Sequence, residues 1–327
     1  MKILQPASLQ EIELARQRIS GFAIRTPLIK LDLTESDSLY NSNTEIFLKL
    51  ENLQPTGAFK VRCQANVINA ASLTELGRGV FTASSGNSGT AMAWVARKLG
   101  IRARVYTPDN APESKLRNIR DLGAIVHQLP YDQWWKIVET GRYADEQGFF
   151  ANPVNSPAGI AGNATIGLEI YEDMPDVDTV VLPFGGGGLS CGVASAFHAL
   201  QSTIRTFGAE SCTALPLAAA FRAGEPVVVP RRDSFISGIG VAALLPDMWP
   251  LAKQLLAGAV AADLTQVSHA IRLLYERHHI VVEGAGAVAL AAVLAGQAGT
   301  GKIVCVVTGG NLDGSDLVKI LRGEVPL

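Results

Sequence analysis

Short β-branched runs alternate with longer helical patterns along almost the whole 327-residue chain. TEIFLKL (44–50), GVFTA (79–83), ARVYTP (103–108), AIVHQL (124–129), VDTVVLPF (177–184), TIRTFGAE (203–210) and KIVCVVTGG (302–310) each read as a buried strand. Between them lie helical stretches such as 88–99 and 189–200. Strands separated in this way by helices assemble into parallel sheets with helices on their faces, so the predicted fold class is α/β. A chain of this length exceeds one small core. Two lobes are expected, each a mostly parallel twisted sheet flanked by helices. In such sheets ligands collect beyond the carboxyl ends of strands, where a loop turns into a helix.

Three of those junctions carry chemistry. After GVFTA, the segment SSGNSGTAMAWVARKLG (84–100) places Ser84, Ser85, Gly86 and Asn87 at a helix start. Free N–H groups and a partial positive charge there suit a carboxylate or phosphate, although Ser and Asn also serve as ordinary N-caps. After VVLPF, Gly185, Gly186, Gly187 and Gly188 separate a strand from a helix. Without side chains, successive N–H groups can close around an anion as a phosphate cradle. A dinucleotide fingerprint is a rival reading, supported by Glu210 about twenty residues on, but its third glycine would fall on Ser190 or Cys191. A plain turn is the third reading, and it has no use for the entropy that four glycines cost. At the third junction, after KIVCVV, Thr308 follows a strand and precedes two glycines.

Lys60 stands just behind a Pro-Thr-Gly turn in ENLQPTGAFKVRCQA (51–65). Taken alone, it is a charge in the first turn of an amphipathic helix. Taken together, the lysine, the Asn at a helix start, the tetraglycine loop and the hydroxyl at a strand end are the parts that hold pyridoxal phosphate. They offer an amine for the aldehyde, a donor for the ring oxygen, a cradle for the phosphate and a partner for the ring nitrogen.

Composition narrows the partner. With 48% hydrophobic residues, 18% charged residues and a net charge of −2, neither a nucleic-acid surface nor a basic membrane patch is expected, and a small molecule is. Cys63, Cys191, Cys212 and Cys305 are scattered without a CxxC pair, which argues against a disulfide framework or structural zinc and for a reduced, cytoplasmic setting. The amino terminus reads as a capped helix beginning near Ser8 with Glu11 three residues on, not as a signal peptide. The uncharged run from Gly284 is rich in Ala and Val, which predicts a tightly packed internal helix and no membrane span. There is no internal repeat, and FFANPVNSPAGIAGN (149–163) reads as a crossing between lobes.

The chain resembles the serine/threonine dehydratase and serine racemase group of pyridoxal-phosphate enzymes, related in fold to the β subunit of tryptophan synthase. RTPL (25–28), KLENLQPTGAFKVR (49–62), SSGN (84–87), GIAGNATIGLEI (159–170), PFGGGGL (183–189), EGAGA (283–287) and TGGN (308–311) carry the resemblance, in that order and spacing. It implies that Lys60 forms the internal Schiff base, Phe59 packs on the cofactor and Asn87 bonds the ring hydroxyl. It further implies that Gly185, Gly186, Gly187 and Gly188 hold the phosphate, that Leu189 and Glu283 line the cofactor, and that Thr308 faces the pyridine nitrogen. Ser84, Ser85, Asn87, Ser88 and Gly89 then fall on the substrate side, with Ser85 opposite Lys60 as in racemases. Residues 1–53 and 151–327 would form a large cofactor-binding domain, and residues 54–150 a small substrate-side one, in a homodimer. The activity implied is β-elimination from a 3-hydroxy amino acid, serine, threonine or a bulkier analogue, to a 2-oxo acid and ammonia, with racemisation, β-replacement or a non-catalytic binding role as alternatives.

Two departures stand out. Many dehydratases follow SSGN with His and a nearby Gln, where this chain has Ser88, Gly89 and Thr90. A roomier pocket and a bulkier 3-hydroxy substrate are therefore expected. The family's divalent-cation site has Glu210 here, but Pro216 where a second carboxylate is expected, so no metal is assigned. The chain ends soon after TGGN without a regulatory domain, which favours a catabolic or constitutive role.

Overall fold

The computed structural model describes residues 4–35, 39, 43–111 and 113–326. Its strands are β1 (Leu28–Lys30), β2 (Thr44–Lys49), β3 (Val80–Ala83), β4 (Ala103–Pro108), β5 (Ile125–Leu129), β6 (Phe149–Phe150), β7 (Thr179–Pro183), β8 (Arg205–Ser211), β9 (Gly258–Ala262) and β10 (Gly301–Val306). They form a six-stranded sheet in the order β1-β2-β10-β7-β8-β9 and a four-stranded sheet in the order β5-β4-β3-β6. Among the described residues the pair β1–β2 is antiparallel, and the other ladders are parallel. The two predicted parallel sheets are present. β1, β6 and β9 were not anticipated: the first two are three and two residues long, and β9 is GAVAA, whose small residues give little strand signal.

Register brings the functional loops together. β2 and β10 run side by side from Thr44 opposite Gly301 to Lys49 opposite Val306, so the loops after both strands leave the same edge. β7 joins that edge, with Val181 opposite Cys305. The segment 149–163 begins in β6, within the four-stranded sheet, and ends in helix Pro157–Asp173. That helix packs against helices Gly188–Ala199 and Lys60–Ala70, so the segment crosses between the two sheets as expected.

Local signals account for the helices that matter here. Ser8 caps helix Leu9–Ile19 through a capping box with Glu11, as anticipated. Every residue of helix Gly284–Leu294 except the last is buried, as its Ala-rich, chargeless sequence requires. No helix among the described residues is long and apolar enough to cross a membrane. One core cluster packs Ile46, Leu48, Val181 and Ile303 of the larger sheet against Val288 and Leu290 of that helix. A second gathers Val61, Ile68, Val80 and Val105 in the smaller lobe.

Candidate active site

The lysine loop is stitched to the end of β10. The Phe59 N–H donates to the Thr308 carbonyl at 3.0 Å, the Gly310 N–H donates to the Gly57 carbonyl at 2.8 Å, and Ala58 bridges Gly309. Lys60 is the first residue of helix Lys60–Ala70, and its Nζ lies 4.7 Å from the centroid of the Phe59 ring, within cation–π range. Phe59 is itself buried in one cluster with Leu189, Val304 and Val306. Thr308 follows at the edge of β10 and is 3% exposed.

Buried charge anchors this helix two residues beyond Lys60. Arg62 donates to both oxygens of Glu51, at 2.8 and 2.9 Å, and to both of Glu169, at 2.7 and 2.9 Å. Lys49 Nζ lies 2.7 Å from Glu169 and donates to the Thr26 carbonyl at 2.7 Å. Two cations and two anions are thus paired inside the protein, and the bidentate geometry fixes the Arg62 fork and with it the first turn of the helix.

Helix Asn87–Leu99 starts at Gly86 with no side-chain cap, so Ser84 and Ser85 are not spent as ordinary caps there. Ser84 Oγ instead accepts from the Gly86 N–H at 3.3 Å. Ser85 in this loop and Asn87 at the start of the helix are half-buried. Asn87 Nδ2 donates to Glu283 Oε1 at 2.7 Å, and its Oδ1 accepts from Asn311 Nδ2 at 2.8 Å. Burial pushes the Glu283 carboxyl up to about 7, against the Asn87 donor and the nearby Lys115 and Lys60 charges, which favour its ionised form.

The four glycines form a cradle. Gly187 adopts φ 88° and caps helix Gly188–Ala199 without a side-chain bond, which leaves the helix start free for an anion. A Cβ on Gly186 would come within 2.7 Å of Val154 Cγ1, and one on Gly188 within 2.7 Å of the Val154 carbonyl. Asn163 Nδ2 donates to the Gly188 carbonyl at 3.0 Å. Backbone held this closely by its neighbours, at a strand-to-helix junction with unspent N–H groups, fits a phosphate better than a plain turn. Together with Lys60, Asn87 and Thr308 it fits pyridoxal phosphate.

Glu210 points elsewhere. It is 1% exposed, and its two oxygens accept from the N–H groups of Leu217 at 2.7 Å and Ala218 at 2.9 Å. It caps helix Pro216–Ala223, which removes its role as a ribose-binding acid. With both oxygens engaged and Pro216 in place of a second carboxylate, these residues do not fit a divalent cation.

Ser88 and Gly89 are buried in the first turn of helix Asn87–Leu99. Ser88 is 7% exposed and its Oγ accepts from Gln64 Nε2 at 2.8 Å, while a Cβ on Gly89 would press on the Ser84 carbonyl. Gln64, one helical turn beyond Lys60, thus reaches the start of helix Asn87–Leu99. Sequence reasoning missed Gln64, Asn163 and Asn311, although all three sit inside quoted stretches. It also missed Lys115, whose Nζ crosses from helix Glu113–Asp121 to donate to Ser237 Oγ at 3.1 Å.

Residues 19–309 match the model of the family described as pyridoxal-phosphate dependent enzymes. The chain belongs to that family. It is 38% identical to a putative threonine dehydratase of Sinorhizobium fredii, over 99% of this chain and 98% of that one. It is 32% identical to the catabolic L-threonine dehydratase TdcB of Escherichia coli, over 96% of each. The solved structure of maize serine racemase superposes with a TM-score of 0.86 at 31% identity, covering 97% of this chain and 98% of that one. The fold is that of the tryptophan synthase β-like enzymes of this family.

Proposed function

We propose that this enzyme eliminates the β-hydroxyl of a 3-hydroxy amino acid, giving a 2-oxo acid and ammonia. The observation that carries the reading is the direct backbone junction of Phe59 with Thr308, which sets the lysine beside the strand end expected to receive the ring nitrogen. The similarity to threonine dehydratases supports it.

Bound pyridoxal phosphate supplies the electron sink that makes the substrate Cα–H acidic. Lys60 would hold its aldehyde through the side-chain amine, and the same amine, when free, would serve as the base for the Cα proton. The uncapped start of helix Asn87–Leu99 offers N–H groups to the substrate carboxylate. Thr308 offers a neutral hydroxyl, which would not hold the ring nitrogen protonated as a carboxylate would, and this favours loss of the Cα proton coupled to departure of the hydroxyl. The enamine released tautomerises to an imine, and water converts it to the 2-oxo acid and ammonia. Ser85, half-buried in the same loop and set opposite Lys60 by resemblance to racemases, supports racemisation as a second activity. Four free cysteines support a cytoplasmic enzyme. Exposed Leu53 and Val281, beside the Asn52–Val281 hydrogen bond, support a homodimer.

The small Ser88 side chain beside Gly89, with its hydroxyl engaged by Gln64, supports a preferred substrate larger than serine: threonine or a bulkier 3-hydroxy amino acid. A panel of 3-hydroxy amino acids, both diastereomers of each, assayed for 2-oxo acid decides this. The expected result is a wild-type kcat/KM lowest for serine and a ranking shifted toward serine in Ser88→His. Highest turnover with serine and an unmoved ranking would overturn the substrate choice, and no 2-oxo acid from any member would overturn the reaction.

A further inference from the structure

We propose that Asn311 is a positioning residue that sets which end of the Asn87 amide faces the cofactor, with Glu283 as the opposite anchor. The inference rests on reading Asn87 as the donor to the ring hydroxyl. An Asn amide has two ends of nearly equal shape and opposite hydrogen-bonding sense, so only its partners decide its orientation. Asn311 Nδ2 donates to the Thr56 carbonyl at 3.0 Å and to Asn87 Oδ1 at 2.8 Å. A carbonyl can only accept. Thr56 therefore fixes the amino end of Asn311 toward itself, and the atom of Asn87 that meets this amino group must be an acceptor. Asn87 Oδ1 takes that place, which turns Nδ2 toward Glu283 Oε1 at 2.7 Å.

The consequence is specific. Nδ2 carries two N–H groups; Glu283 accepts one, and the other is the donor a ring oxygen would use. Four separate loops meet in this relay: Thr56 from the lysine loop, Asn87 from the helix start, Glu283 before helix Gly284–Leu294, and Asn311 after β10. Glu283 is 7% exposed, and its N–H donates to the Gly309 carbonyl at 3.0 Å, so the anchor is tied to the strand end that carries Asn311.

The substitution Asn311→Asp tests this because it inverts the sense of the partner while keeping its shape. A carboxylate at 311 accepts, so Asn87 turns its amino group toward it and presents Oδ1 to Glu283 and the cleft. Asn311→Ala only frees the amide. The expected result is weaker binding of pyridoxal phosphate to apo-protein, followed by its absorbance, by about tenfold or more for Asn311→Asp and by less for Asn311→Ala, with kcat falling in the same order. The unloaded proteins should melt together. In an Asn87→Ala background, Asn311→Asp should change cofactor affinity by less than about twofold, because the residue through which it acts is gone.

A larger loss in Asn311→Ala than in Asn311→Asp, or equal losses with and without Asn87, would show a merely structural role and overturn the proposal. If Asn87→Ala itself leaves cofactor affinity and spectrum unchanged, the reading of Asn87 fails and the proposal falls with it. That outcome is distinct from a failure confined to Asn311.

Discussion

Glu283 is a carboxyl sealed among Asn87, Gly309 and the first turn of a buried helix, and its cost to the fold depends on pH. Burial raises it from an ordinary 4.5 to about 7, so the folded apo-protein holds this proton where the unfolded chain has released it. The associated stability is fully present below the unfolded value and is lost as pH rises through about 7, on the order of 3 kcal/mol in all. Thermal melts of apo-protein between about pH 5 and pH 8 should show this decline, and Glu283→Gln should flatten it while keeping an acceptor for Asn87. An equal slope in both proteins would contradict the assignment. At this scale the sequence was legible wherever a residue's type is rare in its context: a lysine behind a turn, four adjacent glycines, a hydroxyl beyond a strand. Gln64, Asn163 and Asn311 were not legible, because an amide side chain means nothing until its partner is known, and those partners lie 24, 25 and 224 residues away.

Helix Lys60–Ala70 shows how an element presents a residue. Its start is fixed from outside by the Thr308 carbonyl and from inside by Arg62, which pairs with Glu51 and Glu169 at 0% and 5% exposure. Replacing Arg62 by Met leaves two buried carboxylates facing each other without their fork, so Arg62→Met should cost about 3–5 kcal/mol, read as a large fall in melting temperature. Arg62→Lys should recover little, since an ammonium cannot repeat the bidentate pairs. A melting temperature within about 2 °C of wild type for Arg62→Met would show that the clamp contributes nothing. Helix Pro216–Ala223 makes a second case, because its own N–H groups occupy the Glu210 carboxylate. Activity and melting temperature should therefore be indifferent to EDTA and to added magnesium or calcium. A loss with EDTA that either cation restores would contradict this. β7 and the IVCV run of β10 were legible because they are buried on both faces and read as near-continuous apolar runs. β1 and β6 are short edge pairings that tertiary context creates.

Across the whole molecule, two mostly parallel sheets place their functional loops around the lysine loop, which is bonded to the end of β10. The register of β2, β10 and β7 delivers three functional loops to one edge, and the SSGN helix start after β3 faces them from the other sheet through Asn87. The α/β class and the strand-to-helix junctions were legible because alternating elements leave few topologies. Which junctions touch was not, since register between strands hundreds of residues apart has no local signature. We propose that this convergence makes Lys60 the covalent anchor of pyridoxal phosphate. Holoenzyme reduced with borohydride and digested should yield one cofactor-bearing peptide, with the added mass on Lys60 and not on Lys49 or Lys115. A reduced label on another lysine, or no label in protein saturated with cofactor, would rule out Lys60 as that anchor.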